Sequence, residues 1–109
     1  MEIDTVDQAH SYEIAASATT GEVLFENDRV KIWNLTVEPG ESSDWHLHGR
    51  DYVTVVVESN GGLDAEYWDG TANLSENVVG DFTYHDSHQI HRVINNTGNR
   101  YKNVLIELK

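Results

Sequence analysis

Five of the six histidines lie between positions 46 and 91, in two short groups whose spacing suits metal ligation. The first is the alternation His46-Leu47-His48, preceded by Gly40. The second is His85, His88 and His91, in a segment that opens at Gly80 and closes at Asn95. On a β-strand, residues two apart face the same side, roughly 6.5–7 Å apart along the chain. Two imidazoles so placed can converge on one ion, and a third from another strand completes a facial set. Neutral imidazoles suit Fe, Ni, Zn, Mn or Cu, and the donor type alone does not choose among them. There is no cysteine, so thiolate ligands, disulfides and cysteine nucleophiles are excluded.

These two segments resemble the two signature motifs of the cupin family. The first motif reads Gly, five residues, His-x-His, three or four residues, Glu, six residues, Gly; here Gly40, His46 and His48 stand at its spacings. The second reads Gly, five residues, Pro-x-Gly, two residues, His, three residues, Asn, and Gly80, His91 and Asn95 fit it. The resemblance spans roughly Glu22 to Lys109. It has departures: Tyr52 and Val53 occupy the two positions allowed for the motif glutamate, and Asp51 stands one residue early. Asp86 and His88 replace the usual Pro and turn Gly. The run from His46 to Val53 and the closing stretch from Asn96 to Lys109 are similar to small cupins associated with β-alanine degradation.

The resemblance implies an all-β fold: a single-domain cupin jelly-roll barrel (double-stranded β-helix) over residues 21–109, with both motifs facing one cavity. Residues 1–20 would form an N-terminal arm or edge strand, and such edges would pair two chains into a homodimer. One divalent transition metal per subunit is expected on His46, His48 and His91. The fourth position stays open. Strict parity from His48 turns Tyr52 inward and Asp51 outward, whereas a bulge at Gly49-Arg50 reverses the phase. Asp51 would then be a ligand, or would hold an imidazole in its tautomer. Asp51 and Tyr52 are the candidate catalytic groups. Gln89, Arg50 and Trp33 are candidates for the substrate pocket, Gln89 because it shares the parity of His91. Arg50 is better placed than Arg92 to meet a substrate carboxylate, since Arg92 has the opposite parity to His91. His85 and His88 read as exposed loop residues, and Asn95 as a residue fixing a turn.

The function implied is that of a metal-dependent enzyme acting on a small polar metabolite. Dioxygenase-type oxidative cleavage is favoured over isomerase, lyase or hydrolase chemistry. The alternative is a non-catalytic module that binds a small ligand or a metal, since one barrel hosts many chemistries.

The elements that must position these groups are strands. Val23–Phe25, Val30–Val37, Tyr52–Val57, Leu63–Trp68, Ala72–Val79, Phe82–His85, Ile90–Ile94 and Tyr101–Leu108 alternate with Gly-, Asn- and Asp-rich breaks. Tyr52–Val57 is mostly apolar and is expected to be buried on both faces. Asp69-Gly70 predicts a type I′ hairpin turn. With 109 residues the chain makes one domain with one modest core. Its net charge of -12 opposes binding to phosphate backbones, so nucleic acid is not an expected partner. No apolar run reaches the length of a membrane-spanning helix, and the acidic N-terminus does not read as a signal peptide. A cytoplasmic protein with a small-molecule substrate is the expectation.

Overall fold

Eight strands follow one another in the computed structural model, which describes residues 21–75, 78–86 and 88–109. They are β1 (Glu22–Glu26), β2 (Val30–Val37), β3 (Tyr52–Glu58), β4 (Leu63–Tyr67), β5 (Ala72–Ser75), β6 (Phe82–His85), β7 (His91–Ile94) and β8 (Tyr101–Leu108). One sheet runs β1-β2-β8-β3-β6 and the other β5-β4-β7, and all the strand pairs are antiparallel. The result is the two-sheeted jelly roll that the resemblance implies. The N-terminal arm expected over 1–20 lies outside the described residues.

Period-two patterning decides which side chains enter the barrel. In β8, Tyr101, Asn103 and Leu105 are buried, and the residues between them are only half-buried. In β3, Tyr52 and Val56 are buried on the same side. The expectation that β3 is buried on both faces is not met. Its outer residues are half-buried or exposed, because no second layer among the described residues covers that side of the sheet. Val37, Val56, Leu63 and Tyr101 form the apolar core, with Leu35 and Val93 packed against it. That core draws on β2, β3, β4, β7 and β8, so it clamps the two sheets together.

Glycines open both histidine segments for a backbone reason. Gly40 and Gly80 adopt φ of 79° and 95°, a region that side chains disfavour. Each turn is then tied to the barrel, Gly40 N–H donating to the Asn95 carbonyl at 2.9 Å and Gly80 N–H to that of Val56 at 2.8 Å. The β4–β5 connection differs from the expected type I′ turn. That type needs positive φ at two successive residues, and Asp69 does not have it. Instead Trp68, Asp69 and Gly70 form a three-residue loop in which Gly70 N–H donates to the Tyr67 carbonyl at 3.0 Å. β5 is described over Ala72–Ser75, and Val78 and Val79, the end of the predicted strand, lie outside any strand.

Candidate metal centre

His46 and His48 precede β3 in a segment with little regular structure, not on a full strand as expected. His46 nevertheless forms an isolated antiparallel bridge with His91, the first residue of β7. His46 N–H donates to the His91 carbonyl at 2.9 Å, and His91 N–H returns the bond at 3.0 Å. The three imidazoles converge: His46, His48 and His91 each offer a nitrogen, all within 4.8 Å of one another. No carboxylate joins them among the described residues.

The donor set can be tested for its fitness to hold an ion. His46 Nδ1 lies 2.7 Å from the Asp44 carbonyl, and His91 Nδ1 lies 3.0 Å from that of Gln89. A carbonyl only accepts, so each Nδ1 carries the proton and donates. Each Nε2 therefore keeps its lone pair, the tautomer a metal needs. In both cases the carbonyl belongs to the residue two before the histidine, so local backbone sets both ring orientations. Burial, with His91 adding to it, lowers His46 from 6.5 to about 4. Burial and then the neighbouring His46 and His91 lower His48 to about 3. Burial also lowers His91. Three neutral imidazoles with free lone pairs at neutral pH fit a divalent transition ion.

The triad forms part of the wall of a cavity of about 350 Å³ between the sheets. Tyr52 lines it, buried between two imidazoles, with its ring 4.1 Å from that of His48 and stacked at 4.3 Å on that of His85. Burial raises its hydroxyl well above the usual tyrosine range, so it stays protonated. Gln89 also lines the cavity, whereas Arg50 and Trp33 are absent from its lining. Trp33 instead accepts the Lys31 ammonium over its ring, 4.4 Å from the centroid.

Asp51 faces away from the triad, as strict parity requires. Its carboxylate accepts from the Tyr84 hydroxyl at 2.7 Å and pairs with His88 Nε2 at 3.0 Å. It joins neither the imidazole cluster nor the cavity lining. His85, read from sequence as an exposed loop residue, belongs to β6 and lines the cavity. Its Nε2 bonds the Thr54 hydroxyl at 2.9 Å. Tyr52 pairs across the strands with His85 and Thr54 with Thr83, so the inward side of β3 selects His85.

Asn95 closes the second segment as a buried anchor. Its Nδ2 donates to the Val37 and Asn99 carbonyls at 2.9 and 2.7 Å. Its Oδ1 accepts from Thr97 N–H and hydroxyl at 2.9 and 2.6 Å.

With this geometry in view, solved structures provide the comparison. A cupin domain from Bordetella pertussis Tohama I matches with a TM-score of 0.74 and 31% identity, covering 86% of this chain and 95% of that one. The chain belongs to the cupin superfamily. More distant cupins share the fold alone. One is an RmlC-like cupin family protein with a double-stranded β-helix fold from Methanocaldococcus jannaschii (TM-score 0.66, 13% identity, 80% of this chain and 76% of that one). Another is a cupin superfamily protein from Desulfitobacterium hafniense DCB-2 (TM-score 0.57, 22% identity, 79% and 72%). No family model and no curated protein matches the sequence. In this cupin, Tyr52 stands where the first motif allows a glutamate, and its ring packs against His48. Among the described residues, the cluster able to hold an ion consists of imidazoles only.

Proposed function

We propose that this cupin is a mononuclear metal-dependent enzyme that oxidatively cleaves a small polar metabolite with dioxygen. One observation carries the reading: three neutral imidazoles offer nitrogens within 4.8 Å of one another at the wall of a substrate-sized cavity. His46, His48 and His91 would hold one divalent transition ion. Bound there, the ion would supply a Lewis acid for substrate oxygen and, in the case of iron, redox chemistry with dioxygen. The chain's own groups bind and orient. Tyr52 braces His48, while Thr54 and His85 present a hydrogen-bonded pair on the same wall. Gln89 offers an amide beside them. The apolar side chains of Leu35, Leu63 and Leu105 limit the space available to water.

The test is metal analysis of tag-free protein purified anaerobically, with His91→Ala alongside. Stoichiometric metal in the wild type and its loss in the variant are expected; a metal-free wild type would sink the reading. Oxygen uptake with β-dicarbonyls, small thiols and amino-acid catabolites then tests the oxygenase chemistry.

A second reading, a non-catalytic binding module, draws on the position of Asp51. With that carboxylate engaged by Tyr84 and His88, the cavity has one fewer candidate base. Ligand-induced thermal stabilisation without turnover of any substrate class would favour it.

The homodimer is likewise our proposal. Val23, Leu24 and Phe25 are exposed together on edge strand β1, and Phe82 and Tyr84 on the opposite edge strand β6. Apolar side chains clustered on sheet edges favour association. Sedimentation at micromolar concentration is expected to give a dimer, and a monomer would overturn the assignment.

A further inference from the structure

Away from the three histidines, the cavity wall carries little formal charge. Thr54, Thr83 and Gln89 supply neutral polar groups, and leucine and valine side chains supply apolar surface. Apart from histidines, the only formally charged side chain in the described lining is the exposed Asp86. No lysine or arginine lines it, and all seven of the chain's cationic side chains are among the described residues.

Four of those cations are committed elsewhere. Arg92 pairs with Glu66 at 3.2 Å, Arg100 with Glu38 at 2.7 Å and Lys109 with Glu26 at 2.6 Å. Lys31 lies over Trp33. Arg29, Arg50 and Lys102 are also outside the lining. A carboxylate or phosphate remote from the metal would lose part of its hydration and find no countercharge, which weakens its binding. The chain's net charge of -12 adds a repulsive field for the approach of any anion.

We infer that the substrate carries no negative charge beyond the atoms that reach the metal: its distal end is a hydroxyl, an amide or an apolar group. This rests on the metal-centre reading and narrows it. Dicarboxylates and phosphorylated metabolites are disfavoured, whereas a single anionic or chelating head group is allowed because the ion itself would compensate it.

Malate and its 4-amide test the point, since they offer the same hydroxy-carboxylate head and nearly the same shape. Metal content is measured first on the same preparation, so absence of metal reports failure of the metal reading separately. On metal-loaded protein, calorimetric titration is expected to show the amide binding about ten-fold or more tightly than malate. Equal affinities, preference for malate, or no binding of the amide would overturn the inference. Thr83→Lys places a cation on an exposed part of the cavity wall without touching the triad. That variant is expected to keep its metal and to gain about ten-fold or more in malate affinity, with the amide little changed. No gain for malate would count against the missing countercharge as the cause.

Discussion

His46 and His91 exchange both of their backbone hydrogen bonds, at 2.9 and 3.0 Å, and their rings lie 4.4 Å apart. Two ligand positions far apart in sequence are therefore registered to each other by main chain. Side-chain rotamers do not have to find the geometry alone. His48 then follows His46 by the two residues that return a side chain to the same side.

Asp51→Asn separates a ligand from a bystander. Because its carboxylate meets Tyr84 and His88 and not the triad, the variant is expected to retain stoichiometric metal. Elemental analysis checks this, and loss of metal would show that Asp51 acts on the centre after all.

Tyr52 is expected to act through its ring. Tyr52→Phe should keep the contacts with His48 and His85, leaving metal content unchanged and unfolding stability within about 1 kcal/mol. Tyr52→Ala removes a buried aromatic and should cost about 3–5 kcal/mol in a urea titration. A Phe variant as unstable as the Ala variant would contradict this account.

Asn95 spends all four of its side-chain hydrogen-bonding positions on Val37, Asn99 and Thr97. Asn95→Leu leaves those partners unpaired in a site where Asn95 itself is 0% exposed. The expected loss is on the order of 3 kcal/mol or more. A denaturation midpoint close to wild type would mean that water replaces the amide.

Metal-free protein should lose stability as pH falls below neutrality. In the folded chain His46 is held at about 4 and His48 at about 3, against 6.5 ordinarily. Below 6.5 the unfolded chain takes up protons that the folded site refuses, so stability is full above that value. It then declines down to about 4, and on towards 3 for His48. Urea titrations from about pH 7.5 to about pH 4.5 should show this slope, and His48→Gln should flatten it. An unchanged slope in the variant would remove His48 from the explanation.

Much of the fold could be read directly from the sequence. Val30–Val37, Phe82–His85 and Tyr101–Leu108 appear with the boundaries that alternation and turn residues predict. Within the site, His46, His48 and His91 meet as their spacing implied. Three features depended on tertiary pairing and were not readable from spacing. His85 faces inward because β6 pairs in register with β3. Asp51 is engaged by Tyr84 and His88, one on β6 and one shortly after it, so nothing local reveals it. Arg50 and Trp33 have suitable chemistry, but the cavity wall does not include them.

The place of β8 between β2 and β3 has a consequence for how the protein is made. Residues 101–108 are the last of the eight strands to be synthesised, yet they join two strands made long before. Until then β2 and β3 have no common neighbour, and the larger sheet cannot close. Contacts of such long sequence separation form slowly. Folding of this barrel is therefore expected only after synthesis of β8, and any metal enters a closed barrel and not a partial sheet.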